Sequence, residues 1–133
     1  MLTLVTHSPD GGLHEETIAA SDAPARMRRL DELQQFFWLD LGDPTPEEGA
    51  LLSSYFRFHD LEIEDALQDV HHPKIEEYPD HLFLIVQGPR MEHDDETMSK
   101  AELDFFIGER YLVTHHRGES NSVSRARAAC HTQ

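Results

Sequence analysis

The sequence predicts an α/β domain of the α+β kind, a mixed β-sheet layered with helices. Three observations predict it. Short apolar or alternating runs bounded by Gly and Pro turns recur at both ends of the chain, as hairpins require. Between them lie segments with helix-start residues and apolar positions at three- and four-residue spacing. Strands and helices are interleaved in an order that includes several hairpins, so the sheet is expected to be mixed and not purely parallel.

Residues 2–5 and 13–18 flank Ser8-Pro9-Asp10-Gly11-Gly12. Proline fixes φ and glycine tolerates positive φ, so this predicts a turn between two short strands. Over 24–35, Met27, Leu30 and Leu33 recur every three residues with arginines between them, giving a helix with one buried stripe. Residues 36–41 are apolar except for Asp40 and predict a strand. Thr45, Pro46 and Glu48 then form a helix start, with a cap, proline at the first helical position and a capping-box glutamate. Leu51, Leu52, Tyr55 and Phe56 are its expected buried face.

Asp60 is expected to cap a further helix running from 61 to about 69. Ile63, Leu67 and Val70 line one side, while Glu64 and Asp65 fall off that stripe. Pro73 stops it. Residues 74–78 and 81–87 predict strands joined around Pro79-Asp80. The run 82–86 is apolar at every position, which predicts a central strand covered on both faces. Residues 88–100 form a polar, acidic loop. Residues 101–107 and 111–116 make a hairpin across Gly108-Glu109-Arg110. Two units are expected: a domain over 1–118, and a start of a helical segment over 119–133.

At 133 residues the chain fits one domain, and it is large enough to bury a core without staples. Its single cysteine, Cys130, excludes an internal disulfide and a Cys-based zinc site. No apolar run approaches the ~20 residues needed to span a bilayer, and no secretory signal is visible, so the chain is expected to be soluble. With 26 acidic against 11 basic residues, the formal charge is −15. Such a surface repels phosphate backbones and anionic lipid, so no nucleic acid is expected as a partner.

Enzyme motifs are lacking. There is no glycine-rich phosphate loop, no G-x-S-x-G elbow and no H-E-x-x-H helix, and His14-Glu15-Glu16 matches only the start of the last. His115 and His116 sit in a predicted strand, where consecutive side chains point to opposite faces, so one ion does not suit both. His71-His72 offers the weak alternative of a metal-dependent hydrolase. Carboxylates suit hard cations such as Mg²⁺ and Ca²⁺. They gather at Asp94-Asp95-Glu96 and on the helix carrying Glu62, Glu64, Asp65 and Asp69. Adjacent Glu64 and Asp65 make a weak site alone, and a good one if a second chain adds a carboxylate.

Four blocks in order over 38–117 carry a resemblance. They are Trp38-Leu39-Asp40-Leu41 with Pro44-Thr45-Pro46-Glu47-Glu48, then His59-Asp60-Leu61-Glu62-Ile63-Glu64-Asp65-Ala66-Leu67. Pro73-Lys74-Ile75-Glu76-Glu77-Tyr78 with the 82–86 run follows, and Tyr111-Leu112-Val113-Thr114-His115-His116 ends the series. Together they resemble the cytosolic domain of the CorA/ZntB family of metal-ion transporters. The family's members join an α/β cytosolic domain to a long stalk helix and two transmembrane helices, and assemble as homopentamers around a pore with a Gly-Met-Asn mouth. In its magnesium branch, cytosolic metal bound between subunits favours the closed channel.

The resemblance implies Glu64 and Asp65 as sensor ligands facing acidic groups on a neighbour's stalk, with Mg²⁺ as the ion and Co²⁺ or Zn²⁺ as alternatives. It implies a divalent-cation partner, a homopentamer and the cytoplasmic face of the inner membrane for the full-length protein. Asp60 departs from the family's proline. The chain shows no Gly-Met-Asn, stalk or transmembrane helix, so a regulatory and not a transporting role is expected, with the fragment a monomer or weak oligomer. The alternative is a free-standing acidic binding or scaffold domain.

Overall fold

The structure, a computed structural model, describes residues 1–68, 72–89 and 100–117. Strands β1 (Leu2–His7) and β2 (Leu13–Ile18) form a hairpin, and helix α1 (Ala23–Glu32) leads to β3 (Phe37–Gly42). Three short helices follow: α2 (Pro46–Gly49), α3 (Leu51–Ser54) and α4 (Asp60–Leu67). Strands β4 (Lys74–Glu77), β5 (His81–Pro89), β6 (Lys100–Gly108) and β7 (Tyr111–His116) complete one sheet of order β2-β1-β3-β7-β6-β5-β4. The expected mixed α+β architecture is present. Pairing is antiparallel except at β3–β7, which is parallel.

That order follows from the connections. After β3 the chain crosses one face through α2–α4 and drops to the far edge as β4. It then returns strand by strand until β7 meets β3. The sheet is therefore two antiparallel halves joined by one parallel seam.

Local chemistry sets the helix ends. Helix α1 stops before the expected residue 35, because Gln34 takes φ 56. The predicted capping box is present: Thr45 Oγ1 accepts from the Glu48 amide at 3.2 Å, and Glu48 Oε1 accepts from the Thr45 amide at 2.9 Å. The helix it opens divides at Ala50 into α2 and α3, so only Leu51 and Leu52 of the expected face are deeply buried. Tyr55 and Phe56 lie beyond α3 and pack partly buried against the core. His59, and not Asp60, caps α4: its Nδ1 accepts from the Leu61 amide at 3.1 Å. Asp60 becomes the first helical residue, where its charge still favours the helix dipole.

Register divides the sheet into two faces. Leu4, Leu39, Val113, Phe106 and Phe83 stand in one row across the strands. With Leu2, Leu41, Phe37 and Ile85 they form the core beneath Ala23, Met27 and Leu30 of α1, Leu51 and Leu52 of α3, and Ala66 of α4. The expectation of a central strand over 82–86 needs correction. β5 is next to the edge, and on the face away from these helices Leu82 and Val86 are 36% and 44% exposed, beside Ile107 at 38% and Ile75 at 71%. The meander places it there, since β4 takes the edge. Gly108 closes the β6–β7 turn against a ring, and a Cβ there would come within 2.4 Å of Tyr111.

Three buried histidine–carboxylate pairs tie elements together, one between helix and sheet and two between strands of the sheet. Glu62 of α4, fully buried, meets His81 Nε2 of β5 at 2.5 Å, and Asp80 holds the other ring nitrogen at 2.7 Å. This also corrects the expected stripe. Glu62 and Ala66 point inward most deeply while Ile63 and Leu67 are only partly buried, because His81 supplies the acid with a partner; Val70 lies outside the described residues. Asp104 of β6 meets His115 Nδ1 of β7 at 2.7 Å. Asp40 of β3 meets His116 Nε2 at 2.8 Å and accepts from Thr114 Oγ1 at 2.5 Å, while Trp38 Nε1 donates to the same hydroxyl at 2.9 Å.

Two predictions follow from these pairs. Asp40→Ala strips the acceptor from Thr114 and His116 inside the seam. Leaving buried polar groups unpaired is expected to cost about 2–3 kcal/mol in a urea melt, against a smaller loss for Asp40→Asn. The second concerns pH. Burial raises the Asp104 carboxyl to about 7 and lowers His115 to about 4, from ordinary values of 3.8 and 6.5. Between pH 4 and 6.5 the folded pair keeps one proton on Asp104, and the unfolded pair keeps one on His115. The proton counts match, so this pair leaves stability nearly flat. Asp104→Asn removes the folded-state proton only, since unfolded His115 still takes one below 6.5. The variant is expected to lose stability as pH falls from 6.5 towards 4, by roughly 1 kcal/mol per unit; melts at pH 4.5, 5.5 and 7 would read it.

Candidate functional site

The candidate ligands Glu64 and Asp65 lie on α4, whose inward face is fixed by Glu62 and Ala66. Residues 100° apart on a helix diverge, and here they do: Glu64 is exposed, while Asp65 is half-buried and turned towards β4. Lys74 Nζ of β4 takes the Asp65 carboxylate in an ion pair and reaches Glu76 Oε1 at 2.5 Å. The bond to Asp65, then that to Glu76, raises the Lys74 ammonium above its ordinary range. Lys74, then the Tyr78 hydroxyl donating to Glu76 Oε2 at 2.9 Å, holds the Glu76 carboxyl low. The two acids therefore do not converge within the chain.

Among the described residues, no group of three or more His, Cys, Asp or Glu is arranged to hold a metal ion. Asp69, His71 and Asp94-Asp95-Glu96 lie outside those residues, and His72 is exposed. His115 and His116 point to opposite faces, each to its own aspartate. Sequence reasoning missed Lys74 as the partner of Asp65, although a lysine opening the 74–78 strand nine residues on was its signal. It missed Glu62 as a core residue too, and there the signal was the four-residue spacing from Glu62 to Ala66.

Beside α4 opens a cleft of about 700 Å³ at the carboxyl ends of β3 and β7. The turn Asp43-Pro44-Thr45 after β3 forms one wall, and Ile63 and Leu67 of α4 another. His115 lies at its base, and Arg117 crosses to donate to the Leu67 carbonyl at 2.7 Å.

Comparison with known proteins gives this geometry a family. The model described as a CorA-like Mg²⁺ transporter protein matches residues 33–133. YfjQ of Bacillus subtilis (strain 168), which carries the name of a metal ion transporter, is 34% identical over 92 residues, 69% of this chain and 28% of its own length. The cobalt/magnesium transport protein CorA of Methanocaldococcus jannaschii is 26% identical over 129 residues, 94% of this chain and 36% of its own. The chain thus spans about a third of the curated relatives it matches.

Among solved structures, full-length CmaX superposes with a TM-score of 0.76 at 15% identity, over 98% of this chain and 38% of that one. The soluble domain of the M. jannaschii CorA superposes at 0.66 and 20% identity, over 100% of this chain and 47% of that one. At such identities the structures speak for the fold alone. The family model, covering three-quarters of the sequence from the end of α1 onward, decides membership: this chain belongs to the CorA-like Mg²⁺ transporter family.

Proposed function

We propose that this chain is the ion-sensing regulatory domain of a CorA-like divalent-cation transporter, working at the cytoplasmic face of the inner membrane. Mg²⁺ is the ion, with Co²⁺ and Zn²⁺ as alternatives, and the full-length protein is a homopentamer. No helix among the described residues is long and apolar enough to cross a membrane.

One observation carries the reading. Glu64 and Asp65 project from a helix clamped to the sheet by a buried acid–histidine contact, yet they lack enough partners for a cation within the described residues. A half-site on a rigid helix suits metal held between subunits. Mg²⁺ keeps several waters and needs only one or two protein carboxylates, so a neighbour's acidic group completes it. Metal that binds one subunit arrangement better shifts the population towards it, and relief of repulsion between acidic neighbours contributes to that preference.

Limited proteolysis of the full-length pentamer, titrated with Mg²⁺, Co²⁺ and Zn²⁺, tests this. Glu64→Ala with Asp65→Ala is expected to weaken metal-dependent protection at least fivefold, the lower end of common coupling factors. Unchanged midpoints for all three ions would remove the assignment. Lys74→Met releases Asp65 from its internal cation, so the expected midpoint moves the other way, to lower metal concentration. A rise instead would show that Lys74 positions the helix and does not compete for the acid.

A further inference from the structure

We infer that the pocket between the β1–β2 turn and the start of β3 binds a small organic cation, an alkylated ammonium compound, held by the rings of Phe36 and Trp38. This is separate from the Glu64–Asp65 helix and does not rest on it. The first support is the pocket itself. It encloses about 320 Å³ in the β2-β1-β3 half of the sheet, within the size range of small-molecule sites. Val5 and Trp38 are register partners, as are His7 and Leu13, and with Phe36 they line it. Val5 is buried and Trp38 half-buried, while Phe36 is 45% exposed, which gives a covered base and an aromatic lip. Gly11 keeps the turn side clear, since a Cβ there would meet nothing within 4 Å.

The second support is Trp38. Its Nε1 donates to Thr114 Oγ1 at 2.9 Å, and that hydroxyl donates in turn to Asp40. With its N–H taken, the indole offers the pocket a π surface and no donor. A cation within about 6 Å of an aromatic face is attracted by the ring quadrupole, most strongly by tryptophan. A ring already locked in place loses little freedom when a ligand arrives.

Charge decides the ligand class. No Asp, Glu, Lys or Arg is among the described residues that line the pocket. An anion therefore meets no cationic side chain there, in a chain of formal charge −15. A hard cation such as Mg²⁺ finds no carboxylate in the lining. An alkylated ammonium needs neither, because ring faces supply its attraction. Asp10, next to Gly11, and Glu15, the register partner of Val5, add negative potential at the edge. The Ser8 hydroxyl bonds Asp10 and holds its carboxyl below the ordinary range, so that charge is present at neutral pH.

The test uses the 133-residue chain, whose single tryptophan makes the indole N–H signal in ¹H–¹⁵N spectra a reading of Trp38 alone. Choline chloride replaces sodium chloride at constant ionic strength, and a saturable shift of that signal is expected. The uncharged carbon isostere of choline, with tert-butyl in place of trimethylammonium, is expected to bind at least about threefold more weakly, as loss of a cation–π contact requires. Phe36→Leu keeps an apolar side chain at an exposed position and removes the ring. It is expected to weaken choline at least about threefold and to leave the isostere unchanged. The inference is overturned if choline gives no saturable shift, if the isostere binds as tightly, or if Phe36→Leu weakens choline no more than the isostere. Mg²⁺ producing the same shift as choline would equally overturn it. So would phosphatidylcholine vesicles that shift the signal where free choline does not, since the ligand would then be a membrane headgroup and not a small solute.

Discussion

Everything in this fold depends on the parallel seam between β3 and β7. Among the described strands it is the one pairing that joins β2-β1-β3 to β7-β6-β5-β4. A parallel pair is slightly weaker per residue than an antiparallel one, and this one joins strands separated in sequence by the chain's excursion to the far edge and back. Asp40 compensates for that weakness. Its two oxygens take Thr114 and His116, both from β7, and Trp38 of β3 bonds the same threonine. Asp40 stands opposite Thr114 in the register, so a slip by one residue would carry the acid away from both partners. The polar network thus specifies register where apolar packing alone would tolerate a shift.

The seam also positions the cleft and the Glu64–Asp65 helix. The chain leaving β3 turns at once into the Thr45 cap and the helices, and β7 ends beside that turn. A cleft results between them. The same excursion carries α4 over β5, where Glu62 and His81 lock its rotation about its own axis. With Glu62 inward, helix geometry leaves Glu64 facing out and Asp65 to the side, beside β4 and Lys74. An acid wholly buried against histidine is an expensive way to attach a helix, since a hydrophobic contact would serve at lower desolvation cost. What it adds is direction: an apolar contact tolerates rotation, and a 2.5 Å hydrogen bond does not.

Much of this was legible in the sequence. The Thr45-Pro46-Glu48 box, the hairpin at Gly108 and the strands around Pro79-Asp80 were visible because their chemistry is local, settled within a few residues. The mixed architecture followed from their order. The errors share the opposite cause. Burial on both sides of the 82–86 run was inferred from apolarity, but exposure of Leu82 and Val86 depends on what reaches β5 from elsewhere in the chain. Asp40 read as an interruption of a strand, and Glu62 as one of the carboxylates gathered on its helix. Their partners lie 74 to 76 and 19 residues away, and no local pattern announces them. His59 over Asp60 was decided by backbone direction: both can cap, and the residue still in extended conformation, φ −62 and ψ 141, is the one that does.

Lys74 gives the proposed sensor a further property. A metal ion seeking Asp65 must displace an ammonium already paired to it, so part of the binding free energy is consumed in breaking that pair. An acidic domain with a formal charge of −15 would otherwise gather divalent cations at low concentration. An internal cation raises the concentration at which the site fills without changing the ligands themselves. It also makes the response competitive: the lysine returns to Asp65 whenever the metal leaves, so the empty state is a defined arrangement and not merely an unoccupied one. A two-state device needs both of its states to be structurally specified. On the proposed reading, Glu64 supplies the exposed ligand, Asp65 the contested one, and Lys74 sets the threshold between them.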